Sequence, residues 1–381
     1  MFARARSGYR LCRAVPLMHL AFVLGTRPEI IKLSSMICAC LQRGIRYTLI
    51  HTNQHYTATM DRLFFEELEL PLAHFNLGVG SDVAGLQVAR MVMGIEPVLR
   101  AVKPDYVIVQ GDTNSSLAGG LAARKANIPI AHVEAGLRSF DKSMPEETNR
   151  IQLDHMSSFW FCPSTLQVEL LASEGIHGAN VHVTGNTGND ATLRYAHTSR
   201  ARSGILESLG VQAEGYLLLT CHRPSNTDDT SHFAKLIEAV QRLAEARNRP
   251  VIFPVHPRLG LEHWKIIDSS SHIKTTDPLG YIDMLALLQG ADLLLTDSGG
   301  LQEEACVLQR RCLVLRANTE RPESLDSGGA RLAPVVTENS LIEAADELRH
   351  SSVTWNNPFG DGLAGQRILQ ILLDDFGTGR A

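Results

Sequence analysis

The sequence predicts an α/β protein made of two successive doubly wound parallel sheets, and three observations carry that prediction. From Met18 onward, short apolar or β-branched runs alternate with amphipathic stretches of helical period, the pattern of βαβ units. The strand series runs twice, with a helical, polar stretch near residues 185–205 between the two runs. Nearly every strand is followed at once by polar residues or glycine. In doubly wound sheets those residues gather beyond the carboxyl ends of the strands, where ligands bind.

Taken in order, the first run predicts strands at 20–25, 47–52, 105–111, 128–134, 158–163 and 180–185. Between them lie helices such as PEIIKLSSMICACLQRG, with Pro28 in its first turn and Gly44 at its end. The second run predicts strands at 216–221, 250–256, 272–277, 291–297 and 311–316. We divide the chain into an N-terminal extension (1–17), a first domain (18–189) and a second domain (190–361), followed by a last helix within 362–381. A length of 381 residues with 44% hydrophobic content exceeds one typical core, which agrees with two domains.

Composition excludes several functions. A formal net charge of -5 gives no general attraction for nucleic acid or acidic lipid, which leaves a small-molecule partner. No apolar run approaches the roughly 20 residues that span a bilayer. The leading MFARARSGYRLCRAVPL carries Arg4, Arg6, Arg10 and Arg13 without an apolar core, so it fails as a secretory signal and reads as an extension. Seven scattered cysteines read as buried free thiols in a reducing compartment, and the expected location is the cytoplasm. Cys38 and Cys40, two apart on a helix, face different ways and make no metal site.

The residues after the strands carry the chemistry. In TDSGGLQEEA (296–305), Asp297 or Ser298 caps a helix whose first turn exposes the amides of Gly299 and Gly300, a site for phosphate. Glu303 and Glu304 lie about a turn further, where a carboxylate can accept two hydrogen bonds from ribose hydroxyls. The plainer alternative is a capped helix with acids in its first turn. Arg321, in TERPE, has a fork suited to a diphosphate, or is a surface arginine. GTRPEIIK puts Arg27 and Lys32 near another helix N-terminus, which favours bound phosphate over helix stability, although Lys32 also fits a solvated face. Four groups suit proton transfer: Asp112, Glu134, Glu146 and His222. Asp112 alternatively caps the helix after it, Glu146 and Glu147 fit the first turn of a helix after Pro145, and His222 can simply be bonded in a turn before Pro224. Glu134 is the odd one, an acid closing the apolar strand IPIAHV. Burial and neighbouring carboxylates raise a carboxyl pKa toward the range of a useful base. No metal-ligand spacing, Walker motif or GxGxxG fingerprint is present, and neither a metal nor a cofactor is expected.

GTRPEIIK, HTNQHY, GDTNSSLAG, HVEAGLRS, MPEETNR, CHRPSN, PVHP, TDSGGLQEEA, TERPE and the late NPFGDGLAGQRI, in this order, resemble the non-hydrolysing UDP-N-acetylglucosamine 2-epimerases from Met18 to about residue 372. The resemblance implies a GT-B architecture of two Rossmann-like domains, with the active site in the cleft between them and the last helix crossing back onto the first domain. It implies a UDP-sugar substrate, no cofactor and a homodimer. The implied reaction inverts C2 by eliminating UDP to 2-acetamidoglucal and adding it back, for cell-surface polysaccharide precursors. Carried over by position, Asp112, Glu134 and Glu146 serve proton transfer at C2, with His222 at the departing diphosphate. Arg27, Lys32, His256, Ser298, Gly299, Gly300, Glu304 and Arg321 bind substrate, while Gln54 and His256 match part of an allosteric substrate site. GTRPE and GDT stand where hydrolysing relatives show GSRAE-like and GDR segments, which favours epimerisation without net hydrolysis. The sequence departs from many members at Leu279-Gly280-Tyr281, where a glutamine commonly precedes the tyrosine. The rivals are a 2-epimerase of a UDP-diacetamido uronic acid, a GT-B glycosyltransferase with an acceptor pocket, and a catalytically inert nucleotide-sugar sensor.

Overall fold

The computed structural model describes residues 18–54, 58–335, 337, 339–349 and 354–379. The predicted extension at 1–17, and His55 and Tyr56 of HTNQHY, lie outside the described residues. The first sheet comprises β1 (His19–Leu24), β2 (Arg46–His51), β3 (Phe75–Asn76), β4 (Tyr106–Gln110), β5 (Ile130–Val133), β6 (Phe159–Cys162) and β7 (Val181–Val183). The second comprises β8 (Leu217–Thr220), β9 (Val251–Pro254), β10 (Ile273–Thr276), β11 (Leu293–Thr296), β12 (Cys312–Val314) and β13 (Ala330–Leu332). The strand orders are β3-β2-β1-β4-β5-β6-β7 and β10-β9-β8-β11-β12-β13, and the pairs at each centre are parallel. Counted from its own first strand, each sheet therefore begins with the Rossmann order 3-2-1-4-5-6. The order reverses between β1 and β4 in one sheet and between β8 and β11 in the other, and those crevices are where ligands bind.

The central strands β1, β4, β8 and β11 are buried, largely apolar runs because helices cover both faces of each sheet. Along β1, Leu20, Phe22 and Leu24 enter one core, which also holds Ile30, Leu33 and Ile37, while Ala21 and Val23 enter the other with Met91 and Leu117. Leu217 and Leu219 of β8 likewise separate from Leu218, following the period of two. Two short strands fall outside the predicted set, β3 with two residues and β13 with an exposed Arg331 at its centre, because neither offers an apolar run.

Helix Thr187–Arg202 links the two sheets, and the last helix, Ala364–Thr378, packs on helix Arg27–Arg43 beside the first sheet. Asp190 fixes that return by accepting the amides of Ala364 at 3.0 Å and Gly365 at 2.7 Å. Gly365 is required there, since a Cβ would stand 2.6 Å from Ser35 Oγ. Among the described residues, no helix is long and apolar enough to cross a membrane, and the six described cysteines are buried and unpaired.

Candidate active site

At the first switch point, Thr26 is the N-cap of helix Arg27–Arg43 and forms a capping box with Glu29. Glu29 does more than cap. One oxygen accepts Gly25 N (2.9 Å), Thr26 N (2.8 Å) and Thr26 Oγ1 (2.9 Å), and the other accepts Thr113 Oγ1 (2.7 Å) and Ser116 Oγ (2.8 Å) from the turn after β4. The fully buried carboxyl thus ties GTRPE to GDTNSS. Gly25 stays a glycine because a Cβ would lie 1.9 Å from Thr52 Oγ1 and 2.1 Å from Ser115 Oγ.

Glu134 closes β5 in a left-handed conformation, φ 68°, uncommon for a residue with a side chain. Gly136, two residues on, is also left-handed and meets Gln167 O, so the strand turns sharply around the acid. The Glu134 carboxylate accepts from Lys32 Nζ at 2.6 Å, from Arg321 Nη2 at 2.6 Å and from Gln110 Nε2. Arg321 Nε also pairs with Glu303, which receives Asn186 Nδ2 at 3.0 Å and faces Lys32 Nζ at 3.7 Å. The four charges form a closed square of two acids and two cations. Lys32 and Glu134 come from the first sheet's side, Glu303 and Arg321 from the second's. Burial works to raise the Glu134 carboxyl, yet Lys32 and Arg321 outweigh it and hold the group below its ordinary value. Glu303 goes the other way, raised by burial. The expected carboxylate neighbours of Glu134 are thus replaced by cations.

At the second switch point, Asp297 follows β11 and turns back to β8. It accepts His222 Nδ1 at 3.0 Å, the amides of His222 and Arg223 at 2.9 Å each, and Asn226 Nδ2 at 3.1 Å. Burial opposes its charge, but these donors win and its carboxyl sits well below the usual range. With Nδ1 engaged, Nε2 of the 38% exposed His222 side chain is the nitrogen left to meet a ligand. His222 stacks on His256 at 5.3 Å, and burial, then the neighbouring His222 and Arg27, lower His256 to about 4. Ser298, not Asp297, caps helix Gly299–Val307, and a Cβ at Gly299 or Gly300 would meet no protein atom nearer than 3.8 Å. The backbone there stays open to an approaching anion.

Of these groups, Lys32, Ser298, Gly300 and Glu303 line a cavity of about 210 Å³, together with Arg27, Phe64 and Glu304. Arg27 lies over the Phe64 ring at 5.8 Å. Glu304, raised to about 8 by burial and then by Glu303, faces the same space. A wider, open depression of about 630 Å³ lies between helices Thr230–Arg247 and Leu261–Asp268, far from the strand ends, and holds none of these groups.

Asp112 pairs with Arg150 of helix Pro145–Met156, while Thr113 takes the capping role. Glu147, not Glu146, is buried: it accepts Ser139 N, Phe140 N and Arg150 Nη1, and so fixes the loop after HVEAGLRS. Glu146 is exposed at the same helix start. Gln54 accepts Ser115 Oγ at 2.8 Å, which places it at the first switch point. The structure thus gathers Lys32, Glu134, Glu304 and Arg321 with Arg27, Ser298, His222 and His256 around one cleft, and leaves Glu146 at its margin. Gln110, Asn186 and the orienting role of Asp297 escaped sequence reasoning; the first two carried only the weak signal of polar residues closing a strand.

The family model described as UDP-N-acetylglucosamine 2-epimerase matches residues 39–373. The UDP-N-acetylglucosamine 2-epimerase of Methanocaldococcus jannaschii is 44% identical over 362 residues, covering 93% of this chain and 99% of that protein. The UDP-2,3-diacetamido-2,3-dideoxy-D-glucuronate 2-epimerase of Pseudomonas aeruginosa is 35% identical, with 93% and 99% covered. The crystal structure of the Methanocaldococcus jannaschii enzyme in complex with UDP-GlcNAc and UDP matches at a TM-score of 0.87, over 94% of this chain and 100% of that one. MurG of Acinetobacter baumannii matches at a TM-score of 0.52 and 13% identity, over 94% and 99% of the two chains, and shares the fold alone, which is GT-B-like. With most of its length inside the family model and its closed carboxylate and cation square in the cleft, the chain belongs to the UDP-N-acetylglucosamine 2-epimerase family.

Proposed function

We propose that the protein is a non-hydrolysing isomerase that interconverts UDP-N-acetylglucosamine and UDP-N-acetylmannosamine. The observation that carries the proposal is the four-charge square bridging the two sheets beside His222 and Asp297. A diphosphate entering the cleft competes with both acids for Lys32 and Arg321. Once those cations turn to phosphate, the two largest influences that depress Glu134 weaken and burial brings its carboxyl up toward the range of a base. In our reading Glu134, with Asp112 and Glu146, serves proton transfer at C2. The electron pair of the C2–H bond forms the C1–C2 double bond as the C1–O bond breaks and UDP departs. His222, oriented by Asp297, protonates or hydrogen-bonds the departing phosphate. Re-addition of UDP with the proton returned on the other face gives the epimer. Arg27, Ser298, Gly299 and Gly300 hold phosphate, Glu304 the ribose, and Gln54 with His256 part of a second substrate site.

Residues 18–189 with the last helix make the lobe supplying the carboxylates, and 190–361 the UDP-binding lobe. We place the protein in the cytoplasm as a homodimer that supplies polysaccharide precursors; its unpaired buried thiols agree with a reducing compartment. The test is incubation with UDP-N-acetylglucosamine in deuterated water without acceptor, alongside UDP-diacetamido uronic acid. Deuterium at C2 with formation of the manno epimer is the expected result, and Glu134→Gln abolishes it while retaining UDP affinity. An unlabelled, unconverted sugar sinks the reading, and conversion of the uronic acid alone moves the protein to the activity of its Pseudomonas relative.

A further inference from the structure

Helix Ala58–Glu67, on the first sheet's side, ends with an acid in its last turn, where its own helix dipole disfavours negative charge. The side chain is explained by what it reaches. Glu67 Oε2 accepts Tyr281 N at 2.6 Å and Ile282 N at 3.3 Å, the first amides of helix Tyr281–Gly290 on the second sheet's side. That helix has no side-chain cap of its own, since its N-cap is Gly280. Nor does Gly280 need to be glycine for its conformation, φ -67°. What glycine supplies is room for the carboxylate: a Cβ would stand 2.0 Å from Glu67 Oε1 and displace it from the helix end. The departure at Leu279-Gly280-Tyr281 thus has a physical cause, a carboxylate from the opposite lobe seated where another side chain would begin.

The same turn is a wall of the cleft, for Leu279, Gly280 and Tyr281 line the cavity together with Glu304. Tyr281 is buried, held edge-on by Tyr195 at 6.0 Å, and feels the charge of Glu304. Phe64, three residues before Glu67 on its helix, lies under Arg27 in the same cavity. One short helix therefore touches the cavity directly through Phe64 and shapes its far wall through Glu67.

We infer that Glu67 is a positioning residue for the nucleotide: by capping helix Tyr281–Gly290 from across the cleft, it fixes the turn that sets Tyr281 against Glu304. The inference rests on the UDP-sugar reading above. Hydrogen bonds to a charged group are strong enough for their loss to be read as about a tenfold change in affinity. The test uses the full chain and titrates UDP calorimetrically, with KM and kcat measured in parallel. Glu67→Ala raises the UDP Kd and KM about tenfold while kcat stays within about threefold, because the proton-transferring groups are untouched. Glu67→Gln, which keeps one acceptor, recovers part of the affinity and serves as the readout should the alanine variant not fold. Gly280→Ala weakens UDP binding about as much as Glu67→Ala, yet adds nothing in the Glu67→Ala background, where no carboxylate remains for its methyl to displace. Wild-type UDP affinity in Glu67→Ala, a kcat loss as large as the KM rise, or additive effects of the two substitutions overturns the role of Glu67. A wild-type chain that binds no UDP overturns the functional reading and this inference with it.

Discussion

The two switch points share one topology and each buries an acid, but the two acids behave in opposite ways. Glu29 gives its oxygens to five donors that are all neutral, two amides and three hydroxyls. Burial therefore dominates and raises its carboxyl. Asp297 also meets amides, but one of its donors is the imidazole of His222, and its carboxyl is held well below the usual range despite burial. The identity of the donors decides the use. An acid fastened by neutral groups holds two turns together, whereas an acid fastened to a histidine at the cleft sets which nitrogen that histidine presents.

Removing each acid should separate the two uses, and the largest effect belongs to Glu29. Glu29→Ala strands buried amides and hydroxyls of both turns, at a cost of about 4 kcal/mol or more, a large share of a typical net stability. The expected outcome is a steep fall in the urea midpoint followed by circular dichroism, with Glu29→Gln in between because it keeps one acceptor. A wild-type midpoint for Glu29→Ala would erase the contrast with Asp297.

The same contrast marks what was legible in the sequence. The alternation of apolar runs and helical stretches located β1, β2, β4 to β7 and β8 to β12 because buried parallel strands are continuous apolar segments. It missed β3 and β13, which are short and carry polar or exposed residues. The site was readable wherever the signal was local. Ser298 in front of two glycines does cap their helix, and Arg27 and Lys32 after a strand do line one cavity with it. Pairings across the chain were not readable. Nothing in GTRPE says that Glu29 also receives Thr113 and Ser116, and nothing in HVEAG says that Glu134 faces Lys32 and Arg321. For the same reason the acid beside Pro145 that turns inward, Glu147, could not be told from the exposed Glu146.

Asp297→Asn tests the other half of the comparison with a smaller expected effect. The amide keeps the shape and can still accept the backbone amides of His222 and Arg223, so the urea midpoint changes little. It no longer supplies the carboxylate that holds His222 Nδ1, and general acid catalysis of this kind is worth about a hundredfold in rate. Turnover in the deuterium assay should therefore fall about a hundredfold, and His222→Gln should add little to it, since both substitutions act on one group. An Asp297→Asn enzyme that turns over at the wild-type rate would reduce Asp297 to a second Glu29, a fastener only.

The smallest effect is a pH dependence that Asp297 does not account for. Burial, and then the charge of Glu303, push the Glu304 carboxyl up to about 8, against 4.5 for an unperturbed glutamic acid. The folded chain thus binds more protons than the unfolded chain between those values. Stability is full below about 4.5 and is lost as pH rises through about 8. The melting temperature of the ligand-free protein should drift down by a few degrees between pH 5 and 8, at about 1–2 °C per kcal/mol for a chain of 381 residues, and Glu304→Gln should flatten the drift. Asp297→Asn should leave it in place, because the Asp297 carboxyl titrates far below this window. UDP sharpens the assignment. Ribose hydroxyls donating to Glu304 favour its charged form, so binding near pH 7 should release a proton, seen calorimetrically as an enthalpy that varies with the ionisation heat of the buffer. If the drift survives in Glu304→Gln, it belongs to other acids whose carboxyls burial raises, Glu303 and Glu29 among them, and the ribose acceptor is not the group that titrates.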